Sequence, residues 1–201
     1  MSLECRLARP EDFHALGRML ELYQYELSDI WDQELDPHGE FGYDTSKHRQ
    51  AQHCFAHILL VDQHYAGFAL VAPAMVTRQE GFWMEQFFVL KRYRQAGCGL
   101  ALARHVFSCH PGAWEVGQMP GNAAARQFWR RVVGLVTEGD FTEVEVTEGW
   151  WQGTVQRFTA EPDGLGLRSS RGFSPGRPLA RHALPVYAPP PEHVARSSES
   201  A

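Results

Sequence analysis

The chain has 201 residues, 44% of them hydrophobic and 12% aromatic, and a formal net charge of −5. That length suits one domain with an appendage, and the apolar content can build a core without disulfides or a structural metal. The acidic balance argues against electrostatically driven nucleic-acid binding, and no apolar run is long enough to cross a bilayer, since 57–76 is interrupted by Asp62, Gln63 and His64.

Residues 3–8 alternate as a strand does. Arg9-Pro10-Glu11-Asp12 then opens a helix, with proline in the first turn and acids at the positive end of the dipole. Phe13, Leu16, Leu20, Tyr23 and Leu27 lay one apolar stripe along it. Residues 28–49 are polar and contain proline and glycine. His48, His53, Cys54 and His57 form the densest group of metal-binding residue types. With no second ligand pair and no H-E-x-x-H, they read as surface and strand-end histidines, and no metal is expected.

Residues 57–61 and 65–72 form a hairpin turning at Asp62-Gln63-His64, and 82–90 is an aromatic-rich strand. Residues 97–110 make a helix with Leu100, Ala103 and Phe107 on one side, and 114–119 a strand. Residues 122–133 make a second amphipathic helix, with Ala125, Phe128, Trp129, Val132 and Val133 inward. Strands 141–146 and 154–159 close the fold. The order predicts an α/β (α+β) domain: a mixed, mostly antiparallel six- to seven-stranded sheet flanked by helices.

The composition changes at 161. Residues 161–201 hold seven of the twelve prolines, six serines and no periodic apolar face, so they read as a disordered tail beyond a domain of 1–160. The N-terminus lacks a signal-peptide pattern, and Cys5, Cys54, Cys98 and Cys109 form no C-x-x-C pair. Free thiols in a reducing cytoplasm are expected.

The chemistry concentrates where the aromatic strand meets the next helix. A basic turn (Lys91, Arg92, Arg94) precedes Gly97-x-Gly99, and glycines there let the backbone approach a ligand while the helix's first N–H groups point outward. Such a junction suits a diphosphate. Neither G-x-G-x-x-G nor G-K-[ST] is completed.

The stretch Arg94-Gln95-Ala96-Gly97-Cys98-Gly99-Leu100-Ala101 resembles the Q/R-x-x-G-x-G/A pyrophosphate loop of the GNAT superfamily of acyl-CoA N-acyltransferases. Pro120-Gly121-Asn122-x-x-Ala125-x-x-Phe128-Trp129 is similar to the N-x-x-A-x-x-F-Y helix of that family, whose asparagine binds the pantetheine arm. The opening Arg9-Pro10-Glu11-Asp12 is also typical. The resemblance is specific across 82–133, consistent in element order across 3–160, and absent from the tail.

The resemblance implies an N-acetyltransferase with acetyl-CoA as cosubstrate. Its pyrophosphate would rest on the backbone of Gln95, Ala96, Gly97, Cys98, Gly99 and Leu100, with Arg94 nearby for charge. The pantetheine would pair with Phe88 and Val89 and reach Asn122 and Phe128. An N–H near Val89 would polarise the thioester carbonyl for direct attack by an amine. Cys98 reads as a packing residue rather than an acyl carrier.

Glu85, four residues before Val89 and therefore placed with Phe87 and Val89 on one strand face, is the expected base; the alternative is that it pairs with an arginine or a hydroxyl. Trp129 stands where the family often has an acid tyrosine, and an indole N–H has no proton to give near neutrality. Gly134 falls one residue later than the pattern. Eight acids and no lysine or arginine lie between Arg18 and Lys47. With Tyr25 and Asp29 after the first helix and Trp150 and Trp151 in the last hairpin, they suggest a cleft for a small cationic amine. A solvated acidic face is the bland alternative.

The expected partner is thus a small-molecule amine, with no nucleic acid or membrane, and a homodimer is compatible. A non-catalytic acyl-CoA-binding module is the rival reading. Transfer to aminoacyl-tRNA is disfavoured by the −6 carried by 1–160, which have fourteen basic and twenty acidic side chains.

Overall fold

The computed structural model describes residues 1–50 and 53–161, so the expected tail lies outside the described residues except for exposed Glu161. The described residues belong to one compact unit. Seven strands make one sheet in the order β1-β2-β3-β4-β5-β7-β6. They are β1 (Leu3–Leu7), β2 (Phe55–Val61), β3 (His64–Ala72), β4 (Phe82–Val89), β5 (Gly112–Gln118), β6 (Thr142–Val146) and β7 (Gly153–Ala160). Every neighbouring pair is antiparallel except β4 and β5. A parallel pair needs a crossover, and helix α3 (Cys98–Cys109) supplies it.

The sheet has two apolar faces. Helix α1 (Phe13–Leu27) covers one, where Phe13, Leu16 and Leu20 cluster with Ile58, Phe68, Leu70 and Phe88. Helices α3 and α4 (Ala123–Val136) cover the other, where Leu102, Val106 and Trp129 cluster with Leu59, Ala69, Val71 and Met84. Alternation along β2 and β3 sends successive side chains into the two cores.

The start of α1 adds to the sequence reading. Pro10–Asp12 is a 3₁₀ turn before the α-helix, and Asp12, which sits at the N-cap of α1 as an acid at the positive end of the dipole, is also a buried hub. Arg6 donates to both its oxygens at 2.5 and 3.0 Å, Tyr65 Oη at 2.8 Å, and the Arg9 amide at 2.6 Å. Hydrogen bonding from Arg6 chiefly, then from Arg9 and Tyr65, outweighs burial and holds this carboxyl well below the usual range.

Three further features position the site. The polar segment after α1 ends in a short helix, α2 (Ser46–Gln50), which brings in Lys47 and His48. Helix α4 runs to Val136, so Gly134 is a helical residue and the chain turns after it at Glu138 and Gly139, both with positive φ. The register of β3 with β4 jumps from Leu70↔Gln86 to Val71↔Met84, which leaves Glu85 as a β-bulge.

His57 corrects the strand-end reading of the histidines. It is fully buried on β2, and desolvation first, then its neighbours His110 and His105, pushes its imidazole down to about 3.

Candidate functional site

β4 and β5 pair only from Phe82↔Trp114 to Met84↔Val116, and beyond that point they diverge. β3 still accompanies β4 to the end, through Gly67↔Val89 and a bond from the Leu90 N–H to the Ala66 carbonyl at 2.9 Å. Opposed residues in an antiparallel ladder alternate between hydrogen-bonded and unbonded pairs. If Ala66 and Leu90 are bonded, so are Phe68 and Phe88. The backbone groups of Phe87 and Val89 then point away from β3, toward the gap that β5 has left.

That geometry revises the residue expected to meet a pantetheine arm. Phe88 spends its backbone on β3, and its ring sits in the α1 core, 5.8 Å from Tyr23 and 5.6 Å from the Arg94 guanidinium. Phe87 and Val89 offer the open edge. The Val89 carbonyl already accepts from Arg94 Nε at 2.7 Å, so its N–H is the group left for a ligand. Arg94 itself is engaged, since its two terminal nitrogens hold Glu26 at 2.6 and 2.7 Å. It ties α1 to the end of β4, and the turn's remaining positive charge comes from Lys91 and Arg92, both exposed.

The turn into α3 has the conformation the sequence suggested. Gln95 and Gly97 have φ of 63° and 80°, and Gly97 is the N-cap. The helical ladder starts with the Ala101 N–H on the Gly97 carbonyl at 3.0 Å, so the amides of Cys98, Gly99 and Leu100 lie ahead of it. A Cβ on Gly97 would meet nothing within 4 Å, whereas one on Gly99 would stand 3.0 Å from the Phe128 ring. Gly99 is small so that α4 can close on α3. Cys98 is fully buried in the core under the turn.

Asn122 caps α4, its Oδ1 accepting from the Ala125 N–H at 3.0 Å, which leaves its NH₂ for a ligand. It lines a cleft of about 310 Å³ with Gln118, Gly121 and Arg126. Phe128 lies between Gly99 and Phe87, its ring centroid 5.6 Å from that of Phe87. Trp129 is buried and packs against Phe87 and Phe107.

The bulge overturns the expected placement of Glu85. Phe87 and Val89 join Met84 in the α3–α4 core, while Glu85 turns to the segment after α1. There Tyr43 Oη donates to Glu85 at 2.6 Å, Lys47 Nζ lies at 2.5 Å and His48 Nε2 at 3.1 Å. Burial, the largest single influence, pushes the carboxyl up, but His48 and Lys47 together outweigh it and hold it at about 2. A carboxylate so stabilised is a poor proton acceptor at neutral pH. The sequence offered the hydroxyl pairing as an alternative; the lysine and histidine were missed because they arrive on a five-residue helix with no apolar period.

Next to Glu85 on the same strand, Trp83 stacks edge-on with Trp150 and Trp151 at 5.9 and 5.3 Å. A Cβ on Gly117 of β5 would collide with Trp83 and Trp151, so this glycine makes room for the pair. Trp150 is 40% exposed. Tyr25, 71% exposed, lines a different cleft of about 530 Å³ with Glu26, Phe88 and Lys91, and Asp29 is exposed beyond α1. The acidic segment is largely spent on its own folding. Glu21 accepts from the Phe41 and Gly42 amides, Glu26 holds Arg94, Asp36 accepts from the His38 and Glu40 amides, Glu40 pairs with Arg18, and Asp44 accepts from Ser46. Asp29, Asp32 and Glu34 remain for attracting cations.

A family model described as the acetyltransferase (GNAT) family matches residues 17–135. Among solved structures, the chain is similar to an acetyltransferase from Thermus thermophilus, with a TM-score of 0.57 and 16% identity over 79% of this chain and 97% of that one. It is similar to the PaiA N-acetyltransferase from Thermoplasma acidophilum in complex with coenzyme A, with a TM-score of 0.55 and 12% identity over 79% and 99%. It is similar to the ribosomal-protein-S18-alanine N-acetyltransferase from Escherichia coli, with a TM-score of 0.52 and 15% identity over 84% and 100%. No curated protein matches the sequence.

Proposed function

The chain belongs to the GNAT family of acetyltransferases, with acetyl-CoA as cosubstrate, and on that premise we propose that it acetylates a primary amine, small and cationic, by direct attack. The observation that carries this reading is the divergence of β4 from β5 beside the α3 turn. It leaves unpaired backbone on Phe87 and Val89 at one end and the outward amides of Cys98, Gly99 and Leu100 at the other. Those amides would hold the pyrophosphate, with Lys91 and Arg92 adding charge. The Asn122 NH₂ would hold the pantetheine amide.

Acetyl-CoA supplies an acetyl group activated as a thioester. The Val89 N–H would donate to its carbonyl oxygen and stabilise the negative charge that develops there. The amine nitrogen forms the new C–N bond, the C–S bond breaks, and the thiolate leaves. With a pKa of ~8.5, such a thiolate needs no strong acid, which suits a buried Trp129. The amine's proton would reach His48 in its neutral form through water, since the His48 side chain is fully buried and cannot meet the amine directly. His48 Nε2 contacts Glu85, and its buried Nδ1 has no hydrogen-bond partner among the described residues. Glu85 then orients an imidazole rather than acting as the base.

Trp150 and Trp151 supply faces for an ammonium, and Asp29, Asp32 and Glu34 supply modest attraction. The four free cysteines fit a reducing cytoplasm, where this reading places the protein. The test is acetyl-CoA turnover, followed by thiol release and by mass spectrometry of products, against a polyamine, an aminoglycoside, a neutral amine, an amino acid and a peptide with a free N-terminus. Acetylation led by the cationic small molecules supports the reading. Preference for the peptide or amino acid overturns the acceptor class, and tight acetyl-CoA binding with no turnover of any amine favours the non-catalytic alternative.

A further inference from the structure

A second group of reactive side chains meets at the end of α3 remote from the acetyl-CoA turn. His105 and Cys109 lie four residues apart and so share a helix face, with Cys109 Sγ 3.7 Å from His105 Nε2. Fully buried His57 reaches the same place from β2, its ring centroid 5.2 Å from that of His105. One donor atom from each of the three falls within 4.8 Å of the other two. His57 Nε2 is already taken by His110 Nε2 at 2.9 Å. Its Nδ1 is buried and has no hydrogen-bond partner among the described residues. A fully buried imidazole with one nitrogen satisfied and the other left over calls for a ligand on the second.

We propose that His57, His105 and Cys109 bind a zinc ion. Two imidazole nitrogens and a thiolate are a donor set this borderline-soft cation takes in tetrahedral geometry. Bond lengths of ~2.0 Å to nitrogen and ~2.3 Å to sulfur put the ligand atoms of two imidazoles and a thiolate roughly 3.3–3.5 Å apart in a tetrahedron. The His105–Cys109 pair, at 3.7 Å, is close to that spacing, and the remaining corners need to close by at most about 1.5 Å. Cys109 is exposed and His105 half-buried, so the ion has a way in and water can complete the fourth position. Coordination through Nδ1 puts the His57 proton on Nε2, where His110 Nε2 accepts it. His110 is in turn packed by Phe55 and Phe82, at 4.3 and 5.2 Å between ring centroids, and its carbonyl accepts from Trp114 Nε1 at 2.8 Å. The ion would brace β2 against α3, far from the transfer chemistry, as a structural site.

The experiment uses the untagged, reduced full chain after chelator treatment. Zinc is titrated in competition with a chromophoric chelator, and a cobalt(II) sample is examined for thiolate-to-metal charge transfer and tetrahedral visible bands. One zinc per chain, a thiolate band and a rise in Tm with zinc are expected. Cys109→Ser should abolish the charge-transfer band, and both it and His105→Ala should weaken zinc by roughly 100-fold or more, given that even outer partners are worth about 10- to 100-fold. These two positions are used because replacing buried His57 endangers folding. His14→Ala, at an exposed position on α1, should change nothing. Zinc bound equally well by Cys109→Ser, cobalt spectra without a thiolate band, or no stoichiometric zinc at all would overturn the proposal.

Discussion

Replacing Glu85 by glutamine isolates the charge that the bulge buries. The Glu85 side chain is only 4% exposed and touches Tyr43, Lys47 and His48. A carboxyl lowered from the ordinary 4.5 to about 2 represents on the order of 3 kcal/mol of folding stability at neutral pH. Glutamine keeps the size and some hydrogen bonds but leaves Lys47 facing a neutral amide. Because Lys47 remains 34% exposed, solvent screens part of the loss, and about 2–3 kcal/mol is expected. For a fold of this size that corresponds to a drop in Tm of roughly 5–10 °C. The pH dependence has a defined sign. The folded-state value is depressed, so the stabilisation is complete above 4.5 and disappears as pH falls through about 2. Urea denaturation of Glu85→Gln and wild type at about pH 7, 5, 4 and 3 should show curves that are well separated at neutral pH, with a gap that narrows to roughly half by pH 3. Equal stability at neutral pH, or a gap that persists undiminished in acid, would refute the assignment of Glu85 as a stabilised anion and reopen its role as base.

Other perturbations test the remaining parts of the site. Gly99→Val would drive a branched side chain into the Phe128 ring, 3.0 Å from the nearest Cβ position, so calorimetry should show acetyl-CoA affinity lowered about tenfold or more. His48→Gln should leave acetyl-CoA affinity intact and cut kcat by ~10²–10⁴, with the deficit shrinking at high pH as the acceptor deprotonates unaided. Asp12→Asn removes one partner of a buried ion pair whose Arg6 side chain is 18% exposed, and chemical denaturation should register a loss of about 3 kcal/mol at neutral pH that fades below about pH 4.

Local pattern carried most of the architecture. Period-two runs in 57–61 and 65–72, the stripe on α1 and the inward spacing of Phe128, Trp129, Val132 and Val133 each need only near neighbours to be recognised. The Gly97-Cys98-Gly99 turn is legible for the same reason, since positive φ and a helix start are set by the residues themselves. The order of strands within the sheet was not legible, because pairing partners lie far apart in sequence.

What tertiary structure decided is which side chains meet. One extra residue in β4 turned Glu85 away from Phe87 and Val89, and a bulge of that kind leaves no mark in an alternation already blurred by aromatics on both faces. Arg94 looked like a ligand-binding cation until Glu26, 68 residues away, occupied it. His57 read as a strand end until α3 packed over β2 and buried it beside His105 and His110. A sequence determines how each segment prefers to bend and which face is apolar. The charge state and partners of a buried polar group depend on contacts across the sheet, and those exist only once the layers have closed.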